Sequence, residues 1–122
     1  MSCYARHPDF AKFGRLYLNR GAWNGRQTIP EQWVSDSTVK NPKQHVPWET
    51  YPEWPALGGY YGSQWWDLSN ASKDYSFLAW GRYGQFIFVS PRTRLVIVRT
   101  ASETGIKPQL WPQIFQYIAD RL

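Results

Sequence analysis

Residues 75–101 read YSFLAWGRYGQFIFVSPRTRLVIVRTA. Three short runs rich in β-branched and aromatic residues are separated by turn residues, the pattern that strands prefer. SPRTR, between the apolar runs Phe86–Val89 and Leu95–Val98, reads as a hairpin loop. The stretch therefore predicts an antiparallel sheet. Upstream, YYGSQWWDL reads as one more strand and SNASKD as a polar loop, for about three or four strands in all. From about Trp111 a closing helix presents Trp111, Ile114, Phe115, Ile118 and Leu122 on one face, suited to packing across that sheet.

The first half is built differently. PDFAKFGRLYLN, residues 8–19, reads as a helix: Pro8 fits the first turn, Asp9 suits the positive end, and Phe10, Phe13 and Tyr17 recur at helical spacing. Gly14 inside the pattern costs it about 1 kcal/mol relative to alanine. Asn24-Gly25 is a strong turn signal, and Pro30 opens a short helix with Trp33 and Val34 towards a core. Residues 37–59 hold Pro42, Pro47, Pro52 and Pro55, which deny them regular structure. Trp48, Tyr51 and Trp54 pin this loop down or line a pocket. The expected fold is α+β in one domain: a helical segment over 8–36, a Pro-rich loop over 37–59, antiparallel strands over 60–101 and a closing helix over 109–122. One strand edge is left open, which natural sheets avoid. It points to self-association or to a place in something larger.

The totals bound the function. A chain of 122 residues suits a single domain with a modest core. Aromatic residues at 18% and charged residues at 19% do not make a disordered segment. No apolar run is long enough to span a membrane, and MSCYARHPDF lacks the apolar stretch of a signal peptide. Cys3, His7 and His45 are too few and scattered for a zinc site, so no metal is expected. Neither a phosphate-binding glycine loop nor a dinucleotide fingerprint is present, so no cofactor is expected either. The net charge of +5 is dispersed and reads as a solvated basic surface. A second reading, a binding module for single-stranded nucleic acid or carbohydrate, rests on the eight Trp and eight Tyr. Stacking on such a module needs aromatics interleaved with basic residues. Trp80, Arg82 and Tyr83 are the best instance, and nucleic acid is not the favoured partner.

AWGRYGQFIFVSP, residues 79–91, is the stretch on which function turns. Locally it is ordinary hairpin chemistry. Its company is more specific. CYARHPDFAKFGRLYLNRGAWNGRQTIPEQWV, then YYGSQWW, then AWGRYGQFIFVSPRTRLVIV, in that order, resemble the C-terminal part of β-lactamase-related serine hydrolases. That group includes class C β-lactamases, esterases and 6-aminohexanoate-oligomer hydrolases. The resemblance implies an incomplete β-lactamase/transpeptidase-like fold and, in the full-length parent, acyl-enzyme hydrolysis of a small-molecule ester or amide. It also implies that Ala79-Trp80-Gly81 stands where the family carries its third active-site element, often Lys-Thr-Gly. The lysine is absent here, as in esterase-like members. The backbone N–H of Arg82 is then the candidate oxyanion donor, and Trp80, Gly81, Arg82, Tyr83 and Gln85 the candidate substrate-binding residues.

The family's nucleophile is a Ser-x-x-Lys serine at a helix start. Ser37-Thr38-Val39-Lys40 matches the letters but follows the end of a short helix and precedes Pro42, so it reads as a coincidence in a loop. Ser63 lacks the second glycine of a nucleophile elbow. His7 and His45 have no spacing that argues for a triad. The Ser, Lys and Tyr of the family would lie upstream, and the chain alone is expected to be inactive.

Overall fold

The computed structural model describes residues 5–39, 43, 46–47, 60–68 and 75–122. Helix α1 (His7–Leu18) is followed by a hairpin of β1 (Ala22–Trp23) and β2 (Arg26–Gln27), then by helix α2 (Glu31–Thr38). The strands β3 (Val46–Pro47), β4 (Tyr60–Gly62), β5 (Trp65–Asp67), β6 (Phe77–Gly81), β7 (Gln85–Ser90) and β8 (Leu95–Arg99) precede helix α3 (Leu110–Ala119). β3 to β8 form one antiparallel sheet of six strands in sequence order. The α+β class and the antiparallel sheet are as the sequence predicts.

The apolar runs alternate between two faces, and both faces are covered. Leu78, Phe86 and Phe88 point to one side, where Phe115 and Ala119 of α3 close over them. Phe77, Ile87 and Val89 point to the other, against Tyr17 and Leu18 of α1 and Val34 of α2. A strand buried on both sides reads as a continuous apolar run rather than an alternating one. QFIFVS is such a run, and β7 is the buried centre of the molecule.

Gly14 explains how α1 comes so close. A Cβ there would stand 2.6 Å from Val96 Cγ1 and 2.9 Å from Ile87 Cγ2. The glycine that weakens the helix in isolation lets it sit directly on β7 and β8. Aromatic rings close that layer: Tyr17 packs 4.6 Å from Trp65, and Trp65 meets Phe77 edge-on at 5.0 Å.

The structure corrects several expectations. YYGSQWWDL is a hairpin, not one strand, because Ser63 and Gln64 both take left-handed backbone (φ 50° and 69°). Such a two-residue turn normally advertises itself with Asn or Gly; Ser-Gln does not. Trp33 is half-exposed, and Val34 alone of that pair enters the core. Val46–Pro47 pairs with Tyr60–Tyr61 inside the stretch expected to be irregular. Trp48, Tyr51 and Trp54 lie outside the described residues. In α3, Trp111, Phe115 and Ala119 face the sheet as one ridge, while Ile114 and Ile118 stay exposed on the flank and Leu122 lies exposed beyond the helix end. Ser37 belongs to the last turn of α2, not to a loop.

A buried polar tie joins α2 to the start of β6. Thr38 Oγ1 donates to the Val34 carbonyl (2.6 Å) and accepts from the Tyr75 hydroxyl. Burial raises the Tyr75 phenol well above its ordinary value; the Thr38 hydrogen bond opposes this and the Asp67 charge adds to it. The neutral phenol is thus the folded form.

Two outcomes are expected. Gly14→Ala should lower stability by about 1–3 kcal/mol through overpacking, against its favourable helix propensity; urea unfolding reads the sign. Stability should hold until a free tyrosine ionises, about pH 10. Above that pH it should fall, since the unfolded chain releases a proton that the folded chain retains. Tyr75→Phe should flatten this alkaline limb by one proton relative to the parent, as urea midpoints across the range will show.

Candidate functional site

An open cleft lies at the end of the sheet where β6 gives way to β7. Its floor is Ala79, Trp80 and Gly81 of β6, Gln85 to Ile87 of β7, and Val98 and Arg99 of β8. The first turn of α1, with Arg6, His7, Asp9 and Phe10, forms one wall, and Gln64 from the β4–β5 turn also lines the cleft. The cleft encloses about 1060 Å³. The wall is held in place locally: the Asp9 carboxylate accepts the Arg6 backbone N–H at 3.2 Å and pairs with Lys12 at 3.6 Å.

Three of the five predicted site residues, Trp80, Gly81 and Gln85, line this cleft. Trp80 serves two purposes. It lines the opening and also packs between Trp66 (5.8 Å) and Phe86 (4.7 Å). Gly81 is paired with Gln85, and a Cβ on it would meet that residue first, at 3.1 Å from its Cβ. Arg82 and Tyr83 are not part of the lining. They form the turn beyond it, with the Arg82 guanidinium 5.5 Å from the Tyr83 ring centre and the Tyr83 side chain exposed. The turn closes because Tyr83 and Gly84 both take positive φ (62° and 76°).

Gln85 has a defined structural task. Its amide nitrogen donates to the Ala101 carbonyl, and its amide oxygen accepts the Ala101 N–H at 3.1 Å. One side chain thus extends the β7–β8 ladder past the last residue of β8.

Arg99 carries more of the site than any residue singled out from sequence. Its guanidinium donates to the carbonyls of Gly84 (2.6 Å), Thr104 (3.0 Å), Glu103 (3.1 Å) and Tyr83 (3.4 Å). It also lies 4.1 Å over the Trp111 ring, and Trp111 Nε1 donates to the Thr104 carbonyl at 2.9 Å. The β6–β7 turn, the loop after β8 and the start of α3 therefore share one cation. Gly84 is required beside it, since a Cβ would stand 2.6 Å from Arg99 Nη1. The signal in sequence was an arginine ending an apolar strand, which reads as an ordinary strand terminus. The residues of the α1 wall had no signal except Gly14, whose close approach sets where that helix ends.

The serines offer no nucleophile geometry among the described residues. Ser37 Oγ is buried and donates back to Trp33 O (2.7 Å), and Ser76 Oγ donates to Gln116 Oε1 (2.6 Å). Ser63 sits in the exposed β4–β5 turn. Lys40 and His45 lie outside the described residues, and His7 opens α1 at the cleft wall.

The antiparallel sheet with helices on both faces is that of a β-lactamase-like fold, and the chain is related to the β-lactamase-related hydrolases. It is 31% identical over 106 residues to the 6-aminohexanoate-dimer hydrolase of Paenarthrobacter ureafaciens, covering 84% of this chain and 25% of that protein. It also superposes on a solved Bacillus anthracis structure, named provisionally as a 6-aminohexanoate-dimer hydrolase, with a TM-score of 0.66 at 25% identity. That match covers 96% of this chain and 29% of the other. The chain thus spans about a quarter of the length of the relatives it matches. No family model matches it.

Arg99→Lys should not substitute for the planar fork that reaches four carbonyls, and should cost about 1–3 kcal/mol of stability. Hydrogen exchange should quicken at Gly84 and Thr104–Gly105 and stay unchanged in α2.

Proposed function

We propose that the chain is the C-terminal portion of a β-lactamase-related serine hydrolase and supplies one strand of its active site. In this reading β6 and the turn after it form the third element of an acyl-transfer site, and the Ser, Lys and Tyr come from the part of the hydrolase outside this chain. The observation that carries it is the placement of Trp80, Gly81 and Gln85 along one cleft in a chain related to a quarter of a hydrolase.

The role is chiefly one of backbone chemistry. Acyl transfer develops negative charge on the carbonyl oxygen, and each preorganised N–H aimed at it contributes about 3–4 kcal/mol. The N–H of Arg82 is the candidate donor. Arg99 holds the carbonyls of the same turn, so the donor is fixed before substrate arrives. Trp80 presents an aromatic wall to the acyl chain. The substrate class is a small ester or a linear amide. The name shared by the relatives favours the amide, because joining two 6-aminohexanoates makes one.

The stacking-module reading has less support. Trp65, Trp66, Trp80 and Trp111 pack within the two cores, and Arg82 lies over the Tyr83 ring rather than beside an open platform.

The test is labelling by a serine-reactive fluorophosphonate. The chain alone should take no label. Joined to, or co-expressed with, the upstream three quarters of a 6-aminohexanoate-dimer hydrolase, it should yield a labelled species that hydrolyses a 6-aminohexanoate amide. Labelling of the chain alone that disappears in Ser37→Ala would overturn the reading.

A further inference from the structure

We propose that Trp111 of α3 is a positioning residue for the candidate oxyanion donor: it locks the Arg99 fork, and the locked fork fixes the β6–β7 turn that carries the Arg82 N–H. The catalytic consequence rests on the hydrolase reading above; the hold on the turn does not.

The turn needs outside support. Gly81 and Gln85 close its base as the last pair of the β6–β7 ladder. Between them Tyr83 takes left-handed backbone at φ 62°, a conformation that strains a residue with a Cβ. The Arg82 N–H lies between the ladder and that strained residue, so its direction depends on what holds Tyr83 and Gly84. Their carbonyls accept from Arg99 Nη1, at 3.4 Å and 2.6 Å. With the ladder on one side and Arg99 on the other, the peptide that bears the donor keeps little freedom.

Arg99 fixes the turn only as firmly as its own fork is fixed, and a free arginine side chain has many rotamers. Nη2 donates to the Glu103 and Thr104 carbonyls at 3.1 Å and 3.0 Å. The guanidinium also lies on the Trp111 ring, 4.1 Å from its centre. Trp111 Nε1 donates to the same Thr104 carbonyl at 2.9 Å. A carbonyl oxygen has two acceptor sites; this one serves the fork with one and the indole with the other. Trp111 therefore holds the guanidinium twice, directly through the ring face and indirectly through the shared carbonyl.

Trp111 is itself anchored. Its ring stacks on Phe115 at 5.9 Å, and it packs against the core under α3. The turn and the loop after β8 also meet tightly, since a Cβ on Gly84 would stand 3.4 Å from Thr104 Cα. The path from core to donor thus runs Phe115, Trp111, Arg99, Gly84. Every contact in it lies within this chain, so none depends on the rest of the hydrolase.

Two readouts separate positioning from packing alone. In the chain by itself, the backbone order parameters of the Arg82 and Tyr83 amides should be those of a rigid segment, about 0.85, and should fall below about 0.6 in Trp111→Leu. Trp111→Phe keeps a ring face for the guanidinium and loses the Nε1 donor, so it should lie between; it also carries the test if Trp111→Leu does not fold. Tyr75→Phe, which removes a buried hydrogen bond from the opposite layer, should leave the turn rigid. In the hydrolase reassembled with the upstream three quarters, Trp111→Leu should lower kcat about tenfold and move KM less than about twofold, a part of the hundredfold or more that loss of a donor costs. Trp111→Phe should lose less, and Tyr75→Phe less than about twofold. Unchanged order parameters in the Trp111 variants overturn the proposal. So does a reassembled enzyme that Tyr75→Phe slows as much as the Trp111 variants do, because the loss would then follow stability. A reassembled wild type that neither labels nor hydrolyses sinks the hydrolase reading instead, and the order parameters then decide the hold on the turn alone.

Discussion

The structure depends on the burial of β7 from both sides. Phe86 and Phe88 face α3 and Ile87 and Val89 face α1, so one strand takes part in both cores. Each core is small, and neither helix has another element of the sheet so enclosed to rest on. The close seat of α1 follows from Gly14, and that seat sets where the first turn of α1 stands as the cleft wall. A packing constraint at Gly14, one helical turn along α1 from Phe10 in the cleft lining, thus decides its shape.

The second constraint is electrostatic and local. Four carbonyls converge on Arg99, and without it they would crowd at one end of the sheet with no common donor. A guanidinium presents several donors in a rigid plane, which suits a junction of three backbone segments. Gln85 does the same on a smaller scale for Ala101. The β6–β7 turn is therefore held at the Tyr83 and Gly84 carbonyls by a side chain from β8. That is the form of support a preorganised backbone donor needs.

The strands from Phe77 to Arg99 were legible because their composition and their turns agree. The hairpin at Ser63-Gln64 was not, since neither residue is a usual host for left-handed backbone. The face of α3 was misjudged for a different reason. Ile114 and Ile118 fit the helical period as well as Trp111 and Phe115 do, and period alone does not say which half of a broad apolar arc meets the sheet. Three of the candidate site residues share the cleft because they lie on or pair with β6. Arg82 and Tyr83 lie beyond it because the turn projects past the sheet end. Arg99 was illegible because its partners are backbone carbonyls, which sequence does not distinguish.

The misjudged arc and the open edge have one physical origin. A sheet covered by α3 on one face and by α1 and α2 on the other hides its faces and not its rim, so apolar residues left over at the rim of the described residues stay exposed. They include half-exposed β8 and the flank of α3. Val98 and Arg99 of that same strand also belong to the cleft. A strand added at β8 would therefore extend the cleft wall as it covers the edge. Whatever pairs there, the geometry of the candidate site and the state of the sheet edge are coupled through the backbone of a single strand.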